Sequence, residues 1–306
     1  MKKGIHIIFN PIAGAGKAAK FKSQILNRFQ LKLGKNFSFS ETQNPGDAIK
    51  LAHEAMTNQA QLLIAIGGDG TINEVVNGIF EHTLTPSCEL GIINCGSGGG
   101  LAQSLGLPAQ VIDQIDLICS SPGKPLDIGL LKYTDNNGYT QQRYFINECQ
   151  LGISAEIVAR VGLQQKQLGG TLAFGLATIL ELLRFKAVSI TSFLDQKSPA
   201  TRALLGMVIG NGRYCAGGMQ LTPQASPSDG RFDILQISEM NLLQRLTNFS
   251  KIYSGRHVFS KFFSIDQAKS LEIMATPQVG VETDGELLGK TPCSIRIIPD
   301  AIQIKY

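Results

Sequence analysis

The chain has 306 residues, 43% of them hydrophobic and 17% charged, which excludes a disordered segment or a fibre and gives enough length for two domains. Its 33 glycines, about 11% where roughly 7% is ordinary, require a local cause. Residues 1–40 hold eight Lys or Arg and no acid, and the rest is net −4; this argues against a general nucleic-acid binder and for a local anionic partner such as a phosphate or lipid headgroups, although a solvated lysine-rich helix face explains it equally.

Along the first third, short apolar runs alternate with amphipathic stretches: strand 4–10, helix 16–29, strand 36–40, helix 46–58, strand 61–66, helix 72–80 and strand 89–94. Such a βαβ series predicts a parallel sheet covered on both faces, with the loops after Phe9, Ile66 and Ile93 along one edge, where ligands sit. From about Pro125 the runs shorten and alternate, as at 232–237, 294–298 and 301–306, and predict an antiparallel sandwich or barrel. Within it Leu168, Leu172, Leu176, Leu180 and Leu183 recur at helical spacing, a stripe expected to pack on the sheet and to border an apolar substrate.

The six cysteines, Cys88, Cys95, Cys119, Cys149, Cys215 and Cys293, show no CxxC pair and read as small core residues of a reducing compartment. The apolar run at 4–10 is too short for a secretory signal, and the 13 weakly polar residues at 168–180 are too few to cross a bilayer. The expected setting is cytoplasmic, with peripheral membrane contact left open. His6, His53, His82 and His257 are isolated, so neither Ser-His-Asp hydrolysis nor zinc chemistry has support.

Three loops explain much of the glycine. In GGDGTINEVVNG at 67–78, Gly67, Gly68 and Gly70 permit close backbone approach, so main-chain N–H groups at a helix start can face phosphate oxygens. Thr71 caps that helix or donates to a phosphate, while Asp69 suits a metal ion or the orienting of a base. The loop FNPIAGAGKA at 9–18 fails as a Walker A loop, since Pro11 and Ala18 stand where Gly and Ser or Thr are needed, and fails as a dinucleotide fingerprint, its first downstream acid being Glu41. It remains a glycine turn with Asn10 beside the second loop. In GIINCGSGGG at 91–100, five glycines suit an anion and Ser97 supplies the one hydroxyl. Two further turns are ambiguous: Asp284-Gly285-Glu286 and Asp229-Gly230 read as hairpin turns, and the latter also as an oxygen-rich loop for a hard cation.

Taken in order, NPIAGAGK, Thr42 with GDA at 46–48, GGDGTINEVVNG, CGSG with LAQSLGLP, FINECQLGISAE, GGTLAFG, GNGRYCAGG, PSDGRFDI and TDGE resemble the diacylglycerol kinase catalytic-domain family over nearly the whole chain, most closely its soluble bacterial lipid kinases, which are similar to sphingosine and ceramide kinases. GGDGT alone also looks like the signature of NAD kinases and phosphofructokinases. The resemblance implies an N-terminal α/β domain (1–125) that binds ATP and a C-terminal antiparallel β-sandwich (126–306) that takes a lipid, a cleft between them, and a last strand near 301–306 that returns to the first domain. It implies nucleotide contacts from Asn10, Pro11, Gly14, Thr42, Gly67, Gly68, Asp69, Gly70, Thr71, Asn73, Glu74 and Ser97. It assigns Glu286, or Asp284, to accepting the proton of the lipid hydroxyl with Asp69 orienting metal or base, and a Mg²⁺ site to Ser226, Asp229 and the main chain at Arg231. No nucleic acid is implied, and a homodimer is compatible with the chain. The rival readings are an NAD kinase and a non-catalytic nucleotide- or lipid-binding regulator. One departure stands out: Gly99 occupies a position where relatives carry Asn, which would hold the loop or bind the nucleotide, so weaker ATP affinity or altered activity is expected.

Overall fold

A computed structural model describes residues 4–96, 98–168, 170–215 and 217–306, and only the backbone of 162–168 and 170–173. Strands β1 (Ile5–Phe9), β2 (Phe37–Glu41), β3 (Leu62–Gly67) and β4 (Glu89–Asn94) pair in parallel, in the order β2-β1-β3-β4. Between them run α1 (Lys17–Leu33), α2 (Asp47–Thr57) and α3 (Asp69–His82). Alternation along β1 explains the layering: Ile7 and Phe9 meet Ile25 and Phe29 of α1 on one face, whereas Ile8 joins Ala52, Val75 and Ile79 of α2 and α3 on the other. Helices α4 (Gly100–Ser104) and α5 (Val111–Ser120) follow, with Ile115 and Ile118 of α5 closing the first layer.

The C-terminal part adds β5 (Lys124–Thr134), β6 (Thr140–Phe145), β7 (Glu148–Gly152), α6 (Ile153–Leu168), α7 (Gly170–Arg184), β8 (Val188–Leu194), β9 (Ala200–Gly210), β10 (Phe232–Ser238), α8 (Leu242–Ile252), β11 (Phe263–Ala268), β12 (Ser270–Thr276), β13 (Gly280–Thr283) and β14 (Glu286–Lys305). Its pairing closes a circuit, β14-β12-β8-β9-β7-β13 and back to β14, all antiparallel. The 20-residue β14 makes this possible by shifting register twice against β5, and its last residues, Gln303 to Lys305, run parallel to β4. The two halves therefore share one hydrogen-bonded sheet.

Leu151, Ile190, Met207, Ile234 and Val281 fill the closed circuit. On its outer side, Leu205, Val208 and Leu235 face helices instead of solvent. The expected leucine stripe does not pack there. Residues 153–184 form two helices, not one; Leu176 and Leu183 lie at the surface, and Phe174, Ala177 and Leu182 turn inward, because Thr178 and Glu181 are also held inside, Glu181 by Arg160. The side chains of Leu168 and Leu172 lie outside the described residues.

The basic first segment is partly neutralised at home. Lys22 pairs with Glu41, and Arg28 and Lys32 both pair with Asp116 of α5. No described helix is long and apolar enough to cross a membrane.

Candidate active site

The three glycine loops meet at the carboxyl edge of the parallel sheet. Phe9 sits beside Ile66, and Gly67 beside Asn94. Asn10 ties the first loop to the second: its Nδ2 donates to Thr71 Oγ1 at 2.8 Å and its Oδ1 accepts from Ile12 N–H. Gly14, at φ +61°, packs against the Cys95 carbonyl so closely that any Cβ would collide with it, which locks the first loop onto the third. Pro11 lies in the same turn, and Thr42 follows β2 with its N–H donating to the Phe9 carbonyl. Gly68 backs onto Gly96 and Gly70 is open. Ser97 lies outside the described residues.

Two residues assigned to the nucleotide turn their side chains elsewhere. Glu74 accepts from Gly46 and Ala48 N–H at the start of α2. Asn73 is buried and donates to the Tyr144 carbonyl and to Asp284. Both hold the frame around the loops.

Asp284 and Gly285 form a two-residue turn between β13 and β14, with φ +48° and +85°, the pattern of a type I′ hairpin. The hairpin reading of this turn holds. The buried Asp284 carboxylate accepts four bonds: Asn147 and Glu148 N–H on one oxygen, Ile146 N–H and Asn73 Nδ2 on the other. Burial pushes its pKa up, and those donors oppose the shift. Glu286, one step on, is exposed and pairs with Arg143.

Asp69 opens α3. Its Oδ2 accepts from Gly100 N–H at 3.2 Å, while its buried Oδ1 has no partner among the described residues. Burial raises its pKa against the pull of backbone N–H groups from Gly100, Leu101 and Gly99. Asp69 belongs to the lining of a cavity of about 670 Å³. Ile153 and Ile157 of α6, Phe174 and Leu182 of α7, and Phe249 and Ile252 of α8 build apolar walls; the polar lining includes Asn147, Glu148, Gln150, Glu282, Asp284 and Glu286, with Arg245 and Asn248 of α8.

Sequence reasoning passed over Glu148, Gln150 and Glu282. The available signal was polar residues at alternate positions within the otherwise apolar strands FINECQLG and VGVET. It also passed over Asp127, which is buried and organises the 226–231 loop: Asp127 Oδ2 accepts from Gly230 N–H, its Oδ1 from Asp300 N–H, and its own N–H donates to the Pro227 carbonyl. In that loop Asp229 accepts from Arg231 N–H. Asp233 nearby has a buried Oδ2 without a partner among the described residues, and burial, with Asp229 close by, raises its pKa. Oxygen donors are the kind a hard divalent cation takes, and of Arg231 only the carbonyl qualifies; no cluster of three or more acidic, His or Cys side chains placed to hold a metal ion occurs among the described residues.

The loops of the two halves are stapled together. Ser104 Oγ of the first half accepts from Arg213 and Tyr214 N–H of the second and donates to the Gly100 carbonyl; within the second half, Asn147 Nδ2 donates to the Tyr214 carbonyl.

Comparison with known proteins adds an independent line. Residues 4–131 match the diacylglycerol kinase catalytic domain, and residues 148–306 match the YegS C-terminal NAD kinase β-sandwich-like domain. A diacylglycerol kinase of Staphylococcus epidermidis is 30% identical over 304 residues, covering 99% of this chain and 92% of the relative. A solved diacylglycerol kinase from Bacillus anthracis is 25% identical, with a TM-score of 0.78 and coverage of 99% of this chain and 97% of that one. Yeast NADH kinase, at 11% identity and a TM-score of 0.50 over 99% of this chain and 83% of that one, is similar in fold alone.

Proposed function

We infer the reaction from one premise, that the chain belongs to the diacylglycerol kinase family: it is an ATP-dependent lipid kinase that transfers the γ-phosphate to a lipid hydroxyl. The observation that carries the site assignment is the position of Asp69, which opens α3 in the second glycine loop and also lines the apolar-walled cavity. The loops would receive the triphosphate from one side and the cavity the acyl chain from the other, so that the hydroxyl and the γ-phosphate meet at Asp69, in a cleft between the two halves.

Phosphoryl transfer depends mainly on positioning and on stabilising spread-out charge. Asn10, Gly14, Thr42, Gly67, Gly68, Gly70 and Thr71 form the phosphate-facing frame, with Asn73 and Glu74 supporting it from behind. Among the acids, Asp284 has both oxygens saturated and acts as a positioning residue. Asp69, buried with an oxygen free, is the proton acceptor by geometry. Glu286, held by Arg143 at the cavity rim, is the alternative acceptor. A divalent ion, Mg²⁺ in this reading, neutralises phosphate charge when bound; Ser226, Asp229 and the Arg231 carbonyl would hold one such ion in a structural role, with Asp127 fixing the loop.

The cavity disfavours an NAD kinase reading, because a dinucleotide acceptor needs polar walls. Membrane access follows from the surface. Leu176, Ile179 and Leu183 of α7 and Leu242, Leu243 and Leu246 of α8 are exposed on the helices that wall the cavity, with Arg184, Lys186 and Lys251 exposed on or beside them. This face would rest on an anionic bilayer on the cytoplasmic side.

The test is radiolabelled ATP with a total lipid extract, using wild type, Asp69→Asn and Glu286→Gln. Label should enter lipid with wild type and fall by at least 100-fold in Asp69→Asn, whose melting temperature should stay near wild type. Labelled NAD in place of lipid would overturn the reading.

A further inference from the structure

Five acids line the cavity: Asp69 of α3, Glu148 and Glu282 on its floor, Asp284 in the hairpin turn and Glu286 at the rim. Burial raises the pKa of the first four, so protonation eases their crowding, but a triphosphate arriving beside them still needs cations. Cations are few. Among the described residues the lining holds one, Arg245, whose Nε and Nη1 donate to the main-chain carbonyls of Met240, Leu182 and Phe185. The glycine loops at 9–18, 67–78 and 91–100 contain one more, Lys17, exposed at the start of α1.

Arg143 of β6 reaches the same place from the other half. Its Nη2 donates to Glu286 Oε2 at 2.5 Å, so the tip of the guanidinium lies at the cavity rim. The cation is the more enclosed partner, its side chain 14% exposed against 57% for Glu286. Two solvated side chains meeting at a surface would share exposure more evenly. Only Nη2 of the three guanidinium nitrogens has a partner among the described residues, and Nε is buried without one, which costs free energy. The backbone here is fixed to the helix of the second glycine loop. The next residue, Tyr144, receives Asn73 and Asn77 Nδ2 of α3 at its carbonyl and donates its N–H to Asn77 Oδ1. Ile146, three positions on, donates its N–H to Asp284. Arg143 therefore stands where α3, the hairpin turn and the cavity rim converge.

Resting on the lipid-kinase reading, we propose that Arg143 is a catalytic residue that exchanges partners: it holds Glu286 in the free enzyme, and turns its guanidinium to the transferring phosphoryl group once ATP and lipid are bound. The chemistry favours the exchange. A phosphoryl group in transfer spreads its charge over three equatorial oxygens, and the edge made by Nε and one Nη of a guanidinium matches two of them. The buried Nε then gains an acceptor, and Glu286 is released to face the lipid hydroxyl. In the transfer the hydroxyl oxygen bonds to the γ-phosphorus, the bond from γ-phosphorus to the β,γ-bridging oxygen breaks, ADP leaves, and the hydroxyl proton passes to the acceptor base.

The experiment measures apparent kcat and the KM for ATP on the full chain, with labelled ATP, Mg²⁺ and a saturating total lipid extract. It compares wild type, Arg143→Ala, Arg143→Lys, Glu286→Gln and the double variant Arg143→Ala with Glu286→Gln, melting curves checking the fold. Arg143→Ala should lower kcat about 100-fold or more while the KM for ATP stays within about threefold, the mark of a contact made in the transition state. Added guanidinium ion should restore about tenfold of that loss, and sodium chloride at equal ionic strength none. Arg143→Lys keeps the charge but should still lose about tenfold, because a point charge does not replace the fork; it decides the matter where the alanine variant does not fold. Removing Arg143 should cost as much in the Glu286→Gln background as in wild type. Should the cost vanish there, Arg143 only positions Glu286 and the proposal is overturned. A wild-type kcat in Arg143→Ala or Arg143→Lys overturns it as well and leaves the lipid-kinase reading intact. Failure of the wild type to label any lipid would overturn both.

Discussion

Asn73 Nδ2 donates to Asp284 Oδ2 at 2.6 Å, a bond that fastens the helix of the glycine loop to the hairpin turn of the opposite half. Each Asp284 oxygen receives two donors, so an amide in its place must turn its NH₂ toward two N–H groups whichever way it flips. Asp284→Asn should therefore cost about 3 kcal/mol of stability, since buried donors are left facing a donor. Turnover should fall with it. Glu286→Gln, at an exposed ion pair, should change stability by less than about 1 kcal/mol. Urea denaturation of both variants separates the two acids; equal losses would remove the distinction between a positioning and a surface carboxylate.

The pH dependence of stability follows from the cavity floor. Burial raises the Glu282 pKa from 4.5 to about 8. Between those values the folded chain keeps a proton that the unfolded chain has released, so stability is greatest at the acidic end and declines as pH rises, by at most ~1.4 kcal/mol per pH unit for one proton, levelling above pH 8. Denaturation at pH 5, 6, 7 and 8 should show a decline of this sign, and Glu282→Gln should lessen it, the remainder coming from Glu148, whose pKa burial also raises. A wild-type stability that rises across this range would contradict the prediction.

The alternating first third was legible because β3 is apolar throughout, β1 and β4 are largely so, and the glycine loops sit where strands end. Helix α8 was not read, although Asn241 and Gln244 form a reciprocal capping box at its start; its exposed leucines blur the amphipathic pattern. The leucine stripe misled for a related reason: on α7 Leu176 and Leu183 face outward, and inward positions go to Phe174, Thr178, Leu182 and Glu181; the burial of Glu181 depends on Arg160, 21 positions away in sequence. Glu148 and Glu282 were invisible as a pair because only strand pairing between β7 and β13 brings them to one cavity.

The exposed apolar face of α7 and α8 predicts interfacial activation. Leu243 and Ile179 are 71% and 53% exposed, more than isolated surface residues on a helix pair require. Replacing both by Asp should leave stability within about 1 kcal/mol of wild type, since neither is buried. Sedimentation with anionic vesicles should drop at least tenfold, while turnover of a short-chain lipid dissolved as monomer stays near wild type. Unchanged vesicle binding would place the membrane contact elsewhere.

Asn94 answers the question raised by Gly99. At φ +60° Gly99 lies in a region that Asn tolerates better than most residues, so conformation alone does not demand glycine. Space does: a Cβ at 99 would stand 2.6 Å from Asn94 Nδ2, and Asn94 Oδ1 accepts from Gly96 N–H within the same loop. The Asn94 amide thus fills the position beside residue 99 and braces the third glycine loop from the end of β4. Gly99→Asn should then raise the KM for ATP about tenfold, because two amides compete for one place. Asn94→Ala alone should also weaken ATP, by loss of the brace. In Asn94→Ala with Gly99→Asn, the second amide has room, and the KM should return at least halfway to wild type, giving a coupling of the order of 1 kcal/mol in a double-mutant cycle. Additive effects would mean that the two positions act separately and that Gly99 simply lacks a contact its relatives make.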